Sequence, residues 1–355
     1  MKVCVNVRCL SDRITGIERY LMETLIRMCE HAPSYGLSIE GLCSVGERPP
    51  QPELSELAVH ELEGGGARFL RHARAYLREQ GALYVNMSGG LALNRGITVV
   101  HDARPAVFKE FDPRADRMRF KAAVAYARKN ASHIVTVSEF SRSELVNKLR
   151  IPLERISVIP DAWEHMTRVE SDDKYFASIP DLLDREYYYT LGSLAPHKNL
   201  AWVFDVAKEH PQSVFVVSGK RWHASSTQFP DLPNVRYAGY VTDAQNKTLM
   251  THCKAYLHPS FYEGFGLPPL EAASCGVPLV VSTAGSLPEV FGKSAAYVDP
   301  HNTRVNLDML LEHTYGRAVA QGHARPDHSA LLARYSWDES ARMWLELLSA
   351  HIPNH

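Results

Sequence analysis

The sequence predicts an α/β protein that consists of two similar halves. Short apolar runs alternate with longer amphipathic runs along the chain, as in parallel sheets whose faces are covered by helices. Residues 163–186 form a polar, charged segment without a clear strand, and the same alternation occurs on both sides of it. We therefore expect a first domain at residues 1–163, a linker, and a second domain at residues 187–336.

The first domain begins with a buried strand and is expected to continue as strand and helix in turn. Its apolar, β-branched runs predict strands at residues 2–7, 37–44, 83–87, 97–101, 133–137 and 156–159. Its amphipathic runs predict helices at residues 17–30, 67–80, 114–130 and 141–149. Ser141 and Glu144 have the spacing of a capping box, which indicates that the last of these helices begins at Ser141.

The second domain shows the same alternation after the linker. Strands are predicted at residues 187–191, 213–218, 235–238, 255–258, 279–282 and 296–298. Helices are predicted at residues 200–210, 243–253, 268–274, 305–321 and 340–351. Ligands of open parallel sheets bind beyond the carboxyl ends of the strands, so the loops that follow the strands are the places to look for a site.

Two carboxylates enclose a glycine loop between a predicted strand and a predicted helix of the second domain. Glu263 and Glu271 are separated by Gly-Phe-Gly-Leu-Pro-Pro-Leu. The two prolines suit the first turn of a helix, and a helix N-terminus favours anions, so we expect the N–H groups of Gly266 and Leu267 to point at a phosphate. Because the carboxylates would repel that phosphate, we expect them to bind hydroxyl groups on either side of it.

This spacing of two glutamates resembles the signature of the retaining GT-B glycosyltransferases of family 4, a large family of nucleotide-sugar enzymes. Four further stretches match the family in order, namely residues 237–243 (Tyr-Ala-Gly-Tyr-Val-Thr-Asp), 260–266 (Ser-Phe-Tyr-Glu-Gly-Phe-Gly), 276–278 (Gly-Val-Pro) and 286–290 (Ser-Leu-Pro-Glu-Val). The resemblance implies the GT-B fold, in which two Rossmann-like domains face each other across a cleft. It also implies an acceptor-side first domain, a nucleotide-sugar donor domain, and a final helix, residues 337–355, that crosses back to the first domain.

In the first domain the resemblance points to Gly16 and His101. Gly16 opens a helix after the first strand, where the family's loop approaches the donor diphosphate, although a plain turn glycine is the alternative. His101 ends a predicted strand and is followed by Asp102. The family places a histidine here beside the transferred sugar, whereas most single histidines are structural.

In the second domain the resemblance assigns the donor contacts. Lys198 matches the family's lysine on the donor diphosphate, and Ser193 stands where many members have an arginine. The missing cation leaves Arg13, Lys220 and Arg221 as candidates to replace it. Glu263 is expected at the sugar hydroxyls and Glu271 at the ribose of the nucleotide. The remaining expected donor contacts are the backbone of Phe265, Gly266 and Leu267, the base-packing residues Tyr240 and Val241, and Gly219 at the border of the site.

We therefore predict a retaining hexosyltransferase in which His101, Lys198 and Glu263 act in catalysis. Residues 158–162 (Val-Ile-Pro-Asp-Ala), together with the start of the chain and residues 191–199, resemble bacterial mannosyl- and rhamnosyltransferases of surface polysaccharide assembly. By this analogy GDP-mannose is the first donor, and UDP- or dTDP-sugars are alternatives. The acceptor is expected to be a saccharide or a lipid-linked saccharide. No DxD motif or metal-ligand spacing occurs, so neither a metal nor a further cofactor is expected. A catalytically inactive nucleotide-sugar-binding partner subunit is the alternative from another class.

Charge is distributed unevenly along the 355 residues, which have a formal net charge of -1. Residues 1–160 have 23 Lys/Arg and 18 Asp/Glu, and the remainder has 16 and 22. Two basic clusters, at residues 68–78 and 114–121, fit either anionic lipid or a solvated helix face. No nucleic-acid-binding module is recognisable. The six cysteines lack paired spacing and no apolar run is long enough to span a membrane, so we expect a cytoplasmic protein, peripheral to the inner face of the membrane if the clusters bind lipid.

Overall fold

The chain folds into two units, each with its own parallel sheet. The structure is a computed structural model that describes residues 1–11, 14–179, 182, 185–192, 195–219 and 230–351. The first unit consists of Met1–Ala162 and Ser336–His355, and the second consists of Trp163–Tyr335. The predicted α/β class with two sheets of parallel strands is confirmed.

The first unit is a sheet covered by helices on both faces. Its strands are β1 (Lys2–Asn6), β2 (Ser38–Ser44), β3 (Val59–Leu62), β4 (Leu83–Asn86), β5 (Ile97–Val99), β6 (His133–Thr136) and β7 (Ile156–Val158). Its first helices are α1 (Gly16–His31), α2 (Gly66–Glu79), α3 (Arg104–Val107), α4 (Arg114–Asn130) and α5 (Glu139–Leu149). The strands are parallel in the order β3-β2-β1-β4-β5-β6-β7.

The second unit repeats this plan. Its strands are β8 (Tyr187–Leu191), β9 (Val214–Ser218), β10 (Val235–Gly239), β11 (Ala255–His258), β12 (Leu279–Ser282) and β13 (Ala296–Val298). They are parallel in the order β10-β9-β8-β11-β12-β13. Its helices are α6 (His165–Arg168), α7 (Leu200–Glu209), α8 (Asp243–His252), α9 (Leu267–Ser274), α10 (Leu287–Phe291), α11 (Leu307–Tyr315), α12 (Arg317–Ala320) and α13 (Ser329–Leu332).

The last helix, α14 (Trp337–Ser349), belongs to the first unit. It packs against α1, where Trp344 Nε1 donates a hydrogen bond of 2.9 Å to the Tyr20 hydroxyl. Ser340 Oγ donates to the carbonyl of Pro160 at 2.8 Å, and Trp337, Trp344 and Tyr20 are fully buried. Burial of these large aromatic side chains stabilises the packing of α14 on the first unit.

Strand order reverses once in each sheet, and the reversal positions the candidate sites. In the first unit β2 pairs with one edge of β1, and β4, which comes later in the chain, pairs with the other edge. In the second unit β8 pairs both β9 and β11 in the same way. Helices cannot cover the crevice beyond the strand ends at such a point, so ligands bind there. The loops that follow β8 and β11 carry Lys198 and Glu263, respectively.

Candidate functional site

Glu263 is the centre of a buried polar cluster at the carboxyl ends of β8 and β11. Its Oε1 accepts a hydrogen bond of 2.8 Å from Lys198 Nζ and another of 2.8 Å from His258 Nε2. His258 is the last residue of β11, and Ser260 Oγ lies 3.2 Å from the same Nε2. The structure thus brings together two predicted catalytic residues, Lys198 and Glu263, and adds a histidine that was not predicted.

Electrostatics keep this carboxylate ionised. Glu263 is only 9% exposed. Burial by itself would raise the pKa of Glu263, but the charge of Lys198 and the interactions with His258 outweigh it and hold that pKa well below its ordinary value. Burial lowers the pKa of His258, against the opposing charge of Glu263, so the ring is neutral and must carry its proton on Nε2 to bond the carboxylate.

The loop that follows β11 is fixed by close backbone packing. Gly266 caps α9 at a φ of 102°, and a Cβ there would lie 2.7 Å from Leu287 Cδ2. A Cβ on Gly285 would lie 2.6 Å from the carbonyl oxygen of Glu263. Ser286 donates from its backbone N–H to that carbonyl at 3.2 Å and from Oγ to the Phe265 carbonyl at 2.9 Å. These contacts within the protein hold the backbone of residues 263–266 in place.

The loop that carries Lys198 is joined directly to the Glu263 loop. Pro196–Lys198 form one turn of 3₁₀ helix, and Asn199 follows in the left-handed conformation at a φ of 53°. The buried Asn199 side chain donates to the carbonyls of Pro259 at 3.0 Å and Pro300 at 2.8 Å. Phe261 N–H also donates to the His197 carbonyl at 2.8 Å. These bonds fix the turn at residues 196–199 against the Glu263 loop, so Lys198 is held beside Glu263 as a preorganised charge contact requires.

The first turn of α9 has the features expected of an anion-binding N-terminus. The helix begins at Leu267 and has prolines at its next two positions, which donate no N–H. The N–H groups of Gly266 and Leu267 therefore stand at its start, with the helix dipole behind them. Leu267 and Phe265 are themselves buried, so their side chains anchor the turn. The roles of Phe265, Gly266 and Leu267 at a donor diphosphate stay predictions.

Glu271 has a different partner from Glu263. Its Oε1 lies 3.0 Å from His165 Nε2, and the His165 side chain is 1% exposed. The sequence predicts a linker at residues 163–186, but His165 lies in α6 and belongs to the second unit. A buried histidine that donates to one carboxylate oxygen leaves the second oxygen of Glu271 for another donor, such as a ribose hydroxyl.

Gly219, Tyr240 and Val241 lie at the ends of β9 and β10. Gly219 has a φ of 139°, and a Cβ there would lie 1.7 Å from the Gly192 carbonyl oxygen. Its N–H already donates to the Gly239 carbonyl at 2.7 Å, so the geometry gives Gly219 a packing role between neighbouring strand ends. Tyr240 is 64% exposed and Val241 is buried, and their contact with a nucleotide base remains a prediction.

His101 and Gly16 lie in the first unit. His101 Nε2 donates to the Met87 carbonyl at 2.8 Å, and the ring meets Tyr20 edge-on. Burial lowers the pKa of His101 to about 4, so the ring is neutral at pH 7 and Nδ1 can accept a hydrogen bond. Gly16 is the exposed first residue of α1, directly after the Thr15 cap. Their approach to a donor stays a prediction.

Four of the predicted positions lie outside the described residues. These are Ser193 and the three candidate replacement cations, Arg13, Lys220 and Arg221. Within the described part of the chain, no group of three or more His, Cys, Asp and Glu side chains could hold a metal ion. Among the same residues no helix is long and apolar enough to cross a membrane.

Comparison with known proteins identifies the family. The model of "Glycosyl transferases group 1" matches residues 171–305, which include Lys198, Glu263 and Glu271. O-antigen chain mannosyltransferase B of Escherichia coli is 31% identical over 85% of this chain and 87% of that protein. O-antigen chain mannosyltransferase RfbU of Salmonella typhimurium is 27% identical over 72% of this chain and 70% of that protein.

A solved structure supports the fold over the full length. Sucrose-phosphate synthase of Thermosynechococcus elongatus superposes with a TM-score of 0.72 and 15% sequence identity, over 99% of this chain and 100% of that one. The predicted GT-B fold is thereby confirmed. From the mannosyltransferase likeness over most of both chains and from the matched site segment, we conclude that this chain is a glycosyltransferase that belongs to the group 1 family.

Proposed function

We propose that this glycosyltransferase is a retaining mannosyltransferase that takes mannose from GDP-mannose in the assembly of a surface polysaccharide or glycolipid. The observation that carries the proposal is the Lys198–Glu263–His258 cluster at the strand-order reversal of the second unit. The two curated relatives named above are both O-antigen mannosyltransferases, which supports mannose as the donor sugar and polysaccharide as the product.

In this proposal each residue of the cluster has one task. The ammonium of Lys198 binds the donor diphosphate, whose negative charge grows as the glycosidic bond breaks. Glu263 binds sugar hydroxyls, and the second carboxylate oxygen of Glu271 accepts from a ribose hydroxyl. Lys198 Nζ and Glu263 Oε1 lie 2.8 Å apart, so each of these two largely buried charges has a partner of opposite sign within the protein.

Retention is proposed to proceed by front-face attack. Glu263 Oε1 already accepts hydrogen bonds from Lys198 and His258, which reduces the electron density that a carboxylate nucleophile would need. In a front-face route the departing phosphate takes the acceptor's proton, and the protein contributes positioning and charge stabilisation. Lys198 and the N-terminus of α9 can supply that stabilisation, so we propose that activity does not require a metal.

The acceptor is proposed to reach the enzyme at an anionic membrane surface. Helices α2 and α4 together carry ten Lys/Arg and two Asp/Glu, a net charge of +8 on a chain whose total is -1. Arg74 of α2 donates to the Tyr126 hydroxyl of α4 at 2.9 Å, so the two helices are neighbours. Their exposed residues are mainly Arg, Lys and Ala, together with Met118, which is 59% exposed. Such a surface binds anionic lipid.

One experiment tests the donor and the stereochemistry together. Thermal unfolding is followed with GDP, UDP and dTDP, because a ligand of the folded state raises apparent stability. The transfer product from GDP-mannose is then examined by NMR, with and without EDTA. We expect GDP to give the largest shift, the product to keep the α configuration, and EDTA to have no effect. Stabilisation by UDP alone would indicate a UDP-sugar donor in place of GDP-mannose. A β product would refute retention. Nucleotide binding without sugar transfer or donor hydrolysis would indicate an inactive partner subunit.

A further inference from the structure

The segment with which the chain enters the second unit is fixed to the helices of that unit. Trp163 is its first residue, and Trp163 Nε1 donates a hydrogen bond of 3.0 Å to the carbonyl of Leu332. Lys247 Nζ, in α8, donates to the carbonyls of Met166 and Val169, each at 2.8 Å. These two carbonyls lie in α6 and directly after it, where a short helix has no partners of its own for them. Lys247 therefore caps α6 and holds it on α8.

His165, the first residue of this anchored helix, reaches across to Glu271 in α9. The side chain of His165 is 1% exposed and that of Glu271 is 13% exposed, so the contact between them is largely shielded from water. His165 Nε2 and Glu271 Oε1 lie 3.0 Å apart. A carboxylate only accepts hydrogen bonds, so Nε2 is the donor. The contact therefore joins the segment that follows the chain crossing to the carboxylate that we expect at the ribose.

A donor fixed in this way changes what Glu271 can do for a ligand. A glutamate side chain is long and flexible, and holding it in one conformation for a ligand costs conformational entropy. That cost falls when a neighbouring group already restrains the side chain, because less freedom is then lost on binding. The buried ring of His165 restrains Glu271 through Oε1 and leaves Oε2 as an acceptor for a hydroxyl. Loss of the ring should therefore weaken the hydroxyl contact without removing the carboxylate.

We propose that His165 is a positioning residue of the nucleotide site, which acts through Glu271 and strengthens the binding of nucleotides that keep their ribose hydroxyls. The proposal rests on the proposed function, in which Glu271 accepts a hydrogen bond from a ribose hydroxyl. His165 raises the affinity without touching the nucleotide itself. The segment around α6, whose composition is that of a linker, thereby becomes part of the apparatus that selects a ribonucleotide donor.

The test compares GDP with 2′,3′-dideoxy-GDP, which lacks both ribose hydroxyls, by calorimetric titration of the full chain. The ratio of the two affinities measures what the hydroxyls contribute. We expect a ratio of about ten or more for the wild type and a ratio near one for Glu271→Ala. His165→Ala should reduce the wild-type ratio about threefold or more. His165→Gln, whose side-chain amide can also donate to the carboxylate, should restore most of it, and His165→Leu replaces the alanine variant if that variant does not fold.

A second histidine of the same unit provides the matched control. His210 Nε2 lies 2.7 Å from the carbonyl oxygen of Val305, and His210 follows α7 at the end of the sheet opposite to the β11–α9 loop. His210→Ala should leave the ratio unchanged. A merely structural role of His165 would weaken GDP and 2′,3′-dideoxy-GDP by the same factor, so it would also leave the ratio unchanged.

Two further measurements show whether His165 acts through Glu271. The double variant His165→Ala with Glu271→Ala should bind GDP no more weakly than Glu271→Ala alone, because the carboxylate that His165 positions is already absent. In turnover, His165→Ala should raise the KM for GDP-mannose more than it lowers kcat, since the ribose does not react.

Three results would overturn the proposal: an unchanged ratio in His165→Ala, a wild-type ratio near one, or a further loss of GDP affinity in the double variant. Binding of UDP in place of GDP would instead contradict the proposed donor. The ribose is common to both nucleotides, so the same comparison would then be made with UDP and 2′,3′-dideoxy-UDP. The role of His165 is thus tested separately from the identity of the base.

Discussion

Glu263 and Glu271 come from one short segment, yet their surroundings give them different properties. Glu263 contacts Lys198 and His258, and the Lys198 ammonium compensates its charge. Glu271 contacts the buried ring of His165, which leaves more of its hydrogen-bonding capacity for a ligand. Removing Glu263 would disturb a charge cluster, whereas removing Glu271 should mainly change ligand binding. Glu271 is therefore the better residue for testing where the nucleotide lies.

We predict that Glu271→Ala weakens GDP binding by about 1.5–3 kcal/mol, the range for a hydrogen bond to a charged group. The measurement is calorimetric titration of GDP, with the thermal midpoint recorded to show that the fold is intact. Glu209→Ala, at the exposed end of α7, is the control and should bind GDP normally. An unchanged GDP affinity in Glu271→Ala would remove this carboxylate from the nucleotide site.

His101 gives a prediction about acid stability. Its pKa is lowered to about 4 in the folded chain, mainly by burial, whereas an unfolded histidine titrates near 6.5. The unfolded state therefore binds the proton more tightly, and stability is lost as the pH falls from about 6.5 towards 4, with a maximum slope of about 1.4 kcal/mol per pH unit for one such group. Urea unfolding of His101→Gln should show a shallower loss over this window. Parallel curves for wild type and variant would contradict the lowered pKa.

The sequence pointed to Lys198, Glu263 and Glu271, but it did not point to the histidines beside them. His258 lies in a strand whose residues are all buried, and a histidine in such a strand gives no signal that its ring meets a carboxylate. His165 lies in a polar segment whose composition is typical of a linker. The one available signal for His258 was its place at a strand end just before Glu263. Contacts of this kind depend on how loops return to the sheet, which periodicity does not encode.

Among the elements, buried strands and long helices were predicted well, and elements with weak patterns were not. β3, with the sequence Val-His-Glu-Leu, was missed because it is a short edge strand that pairs with β2 and has polar side chains at its two central positions. The predicted helix at 305–321 is divided into α11 and α12 at Gly316, whose φ of 84° interrupts a helix. α5 begins at Glu139 because Ser138, not Ser141, is its cap and accepts from the Ser141 N–H.

The close packing of the strand ends in the second unit can be tested by substituting two of its glycines. Gly219→Ala would place a Cβ 1.7 Å from the Gly192 carbonyl oxygen, whereas a Cβ on Gly239 would meet nothing within 4 Å. Both glycines have positive φ, so Gly239→Ala is the control for the cost of an alanine in this backbone conformation, which is about 1 kcal/mol or more of unfolding free energy. Gly219→Ala should lower the free energy of unfolding by at least about 2 kcal/mol more than the control does. Equal losses in denaturant titrations would refute the close packing of β8 and β9.

For the whole molecule, the uneven charge predicts lipid-dependent behaviour. The wild type should sediment with vesicles that contain phosphatidylglycerol, should not sediment with pure phosphatidylcholine, and should be released as salt is raised. The double change Arg71→Glu and Arg78→Glu on exposed positions of α2 should reduce sedimentation at least tenfold. Lys208→Glu with Lys293→Glu changes the net charge equally, on the second unit, and should have little effect. Equal losses in both double variants would show that net charge, not the α2–α4 surface, governs binding.

In the proposed mechanism, Lys198 stabilises the charge that develops on the departing diphosphate. Turnover of GDP-mannose and affinity for GDP are measured side by side for the wild type, Lys198→Ala and Lys208→Ala, an exposed lysine of α7 that pairs with Asp205. We predict that Lys198→Ala loses about 2.7–4 kcal/mol of transition-state stabilisation, or roughly 100- to 1,000-fold in turnover, with a smaller loss of GDP affinity, while the control is unchanged. Near-normal turnover in Lys198→Ala would show that Lys198 does not stabilise the departing diphosphate.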